Sequence, residues 1–442
     1  MDTRSTPTLP GMGEAFRLWA RVGLLSFGGP AAQIAVMHRE VVEERHWVSD
    51  TRFLHALNFC TLLPGPEAMQ LATYLGWLLH GVKGGVIAGA LFVLPGALVM
   101  LALSALYALL GEVPLVEGLF FGLKAAVLVL VVQAVHRLAT RALRGTPSRV
   151  LAFAAFLALF LLNIPFPIVV LAALGLGFLR PAWFEAKGHG GAGAEGPPAL
   201  LDALLATDPD RPRRLARSAW RAGWACLLLW LAPVALLLLL GSEPYGAIGR
   251  FFSIMAVVTF GGAYAALAYV AQAAVEAYGW LSAEAMLTGL GLAETTPGPL
   301  ILVLQFVGFM AGFEHDGMRG GILASALTLW VTFLPCFAWI FLGAPFIEQM
   351  RGSPSLAGAL AAVTAAVVGV IGQLALWFGL HVLFAEMRKI GPLDVPVLSS
   401  IDVAALIIAL LAAIAVFRLR LGTATVLGIA SIGGLAARFA LH

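Results

Sequence analysis

Three short motifs in this 442-residue chain recur once each, and every second copy lies 233 residues after the first. Ser26-Phe27-Gly28-Gly29 returns as Thr259-Phe260-Gly261-Gly262, Trp47-Val48-Ser49 as Trp280-Leu281-Ser282, and Pro64-Gly65-Pro66 as Pro297-Gly298-Pro299. Further along, Gly84-Gly85 pairs with Gly320-Gly321 at 236 residues. Leu94-Pro95, Gly118, Ala125-Ala126-Val127 and Gln133 pair with Leu334-Pro335, Gly358, Ala365-Ala366-Val367 and Gln373 at 240. Two small insertions account for the drift. Chance likeness between apolar helices does not hold an offset across Gly, Pro and Trp, so the chain is a duplicated unit, which restricts its fold before any helix is drawn.

The copies are built from long apolar runs. Hydrophobic residues make up 60% of the chain and charged ones 12%, against roughly 45–50% and 25% in soluble domains. That is too little charge to cover a water-facing surface. The runs are continuous rather than alternating, which selects spanning helices of about 20 residues over barrel strands. The expected class is an all-α polytopic membrane protein.

Other classes drop out. A formal charge of +3 without a block of Lys and Arg excludes a nucleic-acid surface. Cys60, Cys226 and Cys336 stand far apart inside apolar runs and offer no metal site. The polar tail, residues 1–14, has no signal-peptide pattern, so none is expected to be removed. No Gly-x-x-x-x-Gly-Lys-Ser/Thr loop occurs, so an ion gradient rather than ATP is the expected energy source.

Residues 15–180 form the first repeat and 251–442 the second. Between them, 181–218 is rich in Gly, Pro and Arg and reads as a cytoplasmic linker, while 219–240 is an apolar run without a counterpart. If each half crosses an even number of times, this additional helix turns the second half upside down. Inverted-topology repeats of this kind build many secondary transporters. Loop charges agree under the positive-inside rule. Arg137, Arg141, Arg144 and Arg149 place their loop inside, whereas its partner offsets Arg388 and Lys389 with Glu386 and Asp394. The tip near Asn163 has no Lys or Arg, but its partner carries Arg418 and Arg420. The N-terminus is expected in the cytoplasm.

Each half opens with two apolar runs interrupted in the middle. Gly28-Gly29-Pro30 and Pro64-Gly65-Pro66 break the first half, and Gly261-Gly262 and Pro297-Gly298-Pro299 the second. Proline inside a helix removes a donor and clashes with the preceding turn, at about 3 kcal/mol. Unpaired backbone at membrane depth is tolerated only inside protein or along a wet cavity. A packing kink explains one break; four at matching places line something. Parity leaves full crossing and re-entry both open. Arg39, Arg45 and Arg52 in the first loop, against Glu276 and Glu284 in its partner, favour re-entrant hairpins. A helix that restarts after such a break presents free N–H groups and a positive dipole end, so opposed ends suit a compact oxyanion.

Phe27-Gly28-Gly29-Pro30, His38-Arg39-Glu40, Trp47 and Leu63-Pro64-Gly65-Pro66 together resemble the signature of the chromate ion transporter family in its long, two-domain form. The likeness covers both halves. It implies a carrier in the bacterial cytoplasmic membrane that exports chromate on the proton motive force and confers chromate resistance. Sulfate is the structural relative and competitor, no cofactor is called for, and the family is not enzymatic. The second half departs from the pattern: Ala263 replaces Pro30 and no His-Arg-Glu follows. The first half is therefore expected to bind more of the substrate.

Substrate contacts are expected at Gly28, Gly29, Pro30, Pro64, Gly65, Pro66, Gly261, Gly262, Pro297, Gly298 and Pro299. Lys124, inside an apolar run, either holds a dianion or is an ion-paired or snorkelling lysine. Glu67 directly follows one Pro-Gly-Pro and Glu294 precedes the other. Both are candidates for proton coupling, and Glu67 is alternatively a dipole partner in a first helical turn. Gln70 and Gln305 either donate to an oxyanion or bridge helices. Arg39 with Glu40 reads as a gate or loop ion pair. A membrane-embedded enzyme using Glu67, Glu294 and Lys124 lacks the dense polar cluster such sites need, and an anion channel stays open. The glycines from Gly81 to Gly89 permit close packing within the chain or in a homodimer.

Overall fold

The computed structural model describes residues 9–111, 113–184, 199–208, 210–260, 263–344, 354–390 and 393–441. Gly261 and Gly262 lie outside them. The chain is all but wholly helical, and among the described residues five helices are long and apolar enough to cross a membrane. One element departs from the all-α expectation. A two-stranded hairpin, β1 (Met387–Ile390) with β2 (Leu393–Pro396), pairs antiparallel in a loop.

The first half opens with α1 (Met12–Leu25) and α2 (Gly29–His38), separated by the Ser26-Phe27-Gly28 break. Had α2 continued the line of α1, residues 21 and 40 would stand about 28 Å apart. Instead the Arg21 guanidinium lies 3.0 Å from the Glu40 carboxylate, so α2 folds back beside α1. A second pair follows, α3 (Asp50–Cys60) and α4 (Glu67–Leu110), joined through Pro64-Gly65-Pro66.

The long α4 is two helices. His80 and Gly81 leave helical geometry, and the chain reverses there. Gly76 and Gly84 then come so close that a Cβ on either would meet the other's carbonyl oxygen at 2.5 or 2.3 Å. Gly85 and Gly89 pack likewise on Thr73, so the small-residue face is used inside the chain. The start of α1, the turn after α2, the start of α3 and the reversal of α4 gather at one end. There His80 Nε2 and the Pro10 carbonyl oxygen are 2.7 Å apart.

α5 (Pro114–Ala142) is a full-length apolar helix, and α6 (Thr146–Phe160) and α7 (Phe166–Leu179) form a shorter pair. Of the linker, the described residues from 199 onward are largely helical. α8 (Leu200–Thr207) buries Leu201 and joins the same end, with Leu200 N–H on His46 O (2.9 Å) and Arg52 on Asp202 (2.8 Å). α9 (Arg211–Leu239) contains the apolar run from Ala219 and extends it toward the linker, where Arg211 Nη2 donates to Leu79 O (2.8 Å) at the α4 reversal. At 29 residues, α9 runs about 43 Å before α10 begins.

The second half repeats the first. α10 (Tyr245–Val258), α11 (Ala263–Gln272), α12 (Ala283–Thr295) and α13 (Val303–Gly343) follow in order, and α13 reverses at Asp316-Gly317. The likeness reaches single atoms. Ser49 caps α3 and Ser282 caps α12, which explains the Trp-x-Ser motif. Trp47 N–H donates to Val41 O (2.9 Å) and Trp280 N–H to Ala274 O (2.8 Å). His46 and Gly279, 233 apart, both have positive φ. α14 (Pro354–Leu383) packs on α6 and α7, and α16 (Thr423–Leu441), after α15 (Val403–Ala413), packs on α5.

Candidate functional site

The four breaks meet crosswise. Gly65 N–H donates to Thr259 O at 2.8 Å, and Gly298 N–H donates to Ser26 O at 2.7 Å. Gly65 and Gly298 are repeat partners, as are Ser26 and Thr259. Each Pro-Gly-Pro therefore docks on the other half's first break, the reciprocal pattern of a local two-fold. Gly65 (φ 115°) and Gly298 (φ 88°) adopt backbone that L side chains rarely enter. At the second crossing α4 comes very close: a Cβ on Gly96 would stand 2.0 Å from Pro297 O.

A cleft of about 450 Å³ opens beside that second crossing. Phe27 and Gly28 form one wall, Glu294 and Thr295 another, and Thr423 and Ser431 of α16 a third. The αL residue Gly28 caps α2 without a side-chain bond, so the first N–H groups of α2 and their positive dipole end are available beside the cleft. Pro30, in the first turn of α2, lacks an N–H that would have been unpaired there. α16 also begins on this wall. Among the described lining residues Glu294 is the ionisable one. A second cleft of about 400 Å³ between α5 and α14 is lined by Leu128, Val132, Leu376 and Phe384, which offer nothing to an anion.

The expected site residues separate. Gly28 and Glu294 share the cleft. Glu67 does not line it; it heads α4 near Cys60, with no Lys or Arg within 4 Å among the described residues. Gln70 Nε2 donates to Pro64 O (2.7 Å), closing its own break. Gln305 Nε2 donates to Ala97 O (2.9 Å), bridging α13 to α4. Lys124 is ion-paired, 3.6 Å from Glu284 at the start of α12, while its neighbour Leu123 lines the cleft.

The Arg39–Glu40 pairing needs correcting. Arg39–Glu44 is a π-helical turn, in which residues five apart share a face. Arg39 therefore pairs with Glu44 (3.6 Å). Glu40, fully buried, is held by Arg21 and by Arg45 (2.5 Å). Thr295, Thr423, Ser431 and Gln33 were invisible as site residues. Thr295 stands two residues before Pro297 and could have been found from that place before Pro-Gly-Pro; α16 carries no motif at all.

A family model described as chromate transporter matches residues 13–178 and 246–436, one stretch in each half. The chromate transport protein of Pseudomonas aeruginosa is 35% identical over 374 residues, covering 84% of this chain and 82% of that one. The probable chromate transport protein of Synechococcus elongatus is 30% identical over 353 residues, 79% of this chain and 80% of its own. The chromate transport protein of Cupriavidus metallidurans is 28% identical over 357 residues, covering 79% of this chain and 78% of that one. No solved structure gives a significant match.

Proposed function

This chain belongs to the chromate transporter family, a multi-pass membrane protein, and from that premise we propose that it is a secondary carrier exporting chromate on the proton gradient. The observation that carries the proposal is the crosswise docking of the four breaks, through Gly65 on Thr259 and Gly298 on Ser26, beside a cleft with hydroxyl groups and one carboxylate.

The two halves are inverted copies. The 43 Å length of α9 supports this, since one crossing by an unpaired helix carries the second half to the opposite face. The α1–α2 and α3–α4 pairs re-enter from the cytoplasmic face, where the basic loops lie, and their partners re-enter from outside. The cleft then sits at mid-membrane, where non-helical backbone is tolerated.

Chromate is a tetrahedral dianion. N–H groups at the start of α2 give it dipolar stabilisation, and the hydroxyls of Thr423 and Ser431 donate to its remaining oxygens. Glu294 shares the cleft and carries the proton on the return half-cycle, after the anion has left, so that protons enter as the anion is exported. Rocking one half against the other exposes the cleft alternately to each side. Expression in a chromate-sensitive bacterium then raises tolerance, and sulfate competes.

Purified protein in liposomes tests this. Chromate flux rises when a proton gradient is imposed, and a protonophore abolishes the rise. Flux no greater than in empty vesicles overturns the transport assignment, and flux indifferent to the gradient makes the protein a channel.

A further inference from the structure

Gln33 has no place in any motif and no counterpart in the second half, where Ala266 stands. It is wholly buried on α2, and its Nε2 donates to Gly298 O at 2.6 Å. The N–H of the same Gly298 donates to Ser26 O at 2.7 Å. One residue of the second half is thus gripped at both its donor and its acceptor by residues flanking the first break. The reverse grip is incomplete: Thr259 O receives Gly65 N–H, but the first half's own Gln70 holds Pro64 O.

The grip joins the walls of the cleft. Gln33 rides on the helix whose cap, Gly28, forms one wall, and Gly298 follows Glu294 of the facing wall by four residues. The Gln33 Oε1 finds no hydrogen-bond partner among the described residues. A buried amide oxygen left unpaired is unfavourable, so the side chain is held there for its donor end. We propose that Gln33 is a positioning residue, a latch between the halves that fixes the separation of the cleft walls and so sets the affinity for the tetrahedral anion. The proposal rests on the transport reading above.

Two variants separate a latch from a merely structural glutamine. In Gln33→Ala the KM for chromate rises about tenfold, the value of one hydrogen bond, with turnover nearly unchanged; loss of folded carriers would lower the maximal rate at constant KM. In Gln33→Glu only the protonated carboxyl can donate to Gly298 O. Its KM therefore returns toward that of the unaltered protein as pH falls. Every other ionisable group is common to both proteins, so the ratio of the two KM values at each pH isolates the latch.

Amide hydrogen exchange of Gly298, whose N–H is held by Ser26 O, reads the loosening of this segment without substrate. Relative to the unaltered protein at the same pH, exchange is faster in Gln33→Ala and in Gln33→Glu at neutral pH, and the excess in Gln33→Glu disappears at acid pH. Unaltered KM and exchange in both variants overturn the latch. Absence of chromate flux in the unaltered protein overturns the transport reading instead, and the exchange data still decide the latch.

Discussion

The two halves share a backbone down to their π-helical turns, Arg39–Glu44 and Ala273–Ala277, yet they differ in the side chains hung on it. In the first half the half-exposed Arg21 and the partly buried Arg45 converge on the buried carboxylate of Glu40, and Arg45 lies over Trp47 at 6.0 Å. The corresponding second-half residues are Ile254, Ala273 and Tyr278, and Tyr278 stacks on Trp280 at 4.3 Å. The same fold is closed by ions in one copy and by rings in the other. Beside the breaks the asymmetry recurs: Glu294 stands opposite Thr61, Gln33 opposite Ala266, and Cys336 opposite Gly96. The breaks match, but the side chains beside them do not: Glu294 and Gln33 stand at one crossing and have no copy at the other.

Exchanging residues between the copies tests this division. The largest effect is expected for Glu40→Ala, which installs the second half's residue alone and removes two charge-assisted bonds to a buried carboxylate, at about 3–4 kcal/mol. The triple change Arg21→Ile, Glu40→Ala and Arg45→Tyr installs the whole second-half set and recovers most of that loss. Thermal unfolding of detergent-solubilised protein reads both; a triple variant no better than the single one breaks the equivalence of the two turns.

Next in size is Gly96→Cys, which copies Cys336 into the tighter crossing. Its Cβ meets Pro297 O at 2.0 Å, and overpacking of this kind costs about 3 kcal/mol. The converse, Cys336→Gly, empties space beside Gly65 and costs about 1–2 kcal/mol. Equal losses would mean that the crossings are alike. The smallest effect belongs to Arg39→Gln, the second half's residue at that position. Its pair with Glu44 is half-exposed and worth under about 1 kcal/mol, so the unfolding midpoint hardly moves.

Much of this was legible in the residues. Gly and Pro at fixed offsets announced the duplication and the breaks, because positive φ and a missing donor leave few alternatives. The reversals at His80-Gly81 and Asp316-Gly317 were hidden, since the apolar run continues through them and only the glycines Gly76, Gly84, Gly312 and Gly320 betray the close return. The pairing of Arg39 and Glu40 was misread because adjacency in sequence does not give a shared helical face, whereas a π turn joins residues five apart. Gln70, Gln305 and Lys124 carry the right chemistry for an anion, but a linear pattern does not reveal that backbone carbonyls and Glu284 occupy them. The α16 wall came from tertiary packing alone.

Proton movement during chromate transport tests the central claim most directly. Liposomes holding a pH-sensitive dye, loaded with chromate and carrying the unaltered protein or Glu294→Gln, report both fluxes at once. The account predicts proton movement coupled to chromate in the unaltered protein, and chromate exchange without net proton movement in Glu294→Gln. Proton movement that persists in Glu294→Gln, or chromate transport in the unaltered protein with no proton movement at all, contradicts it.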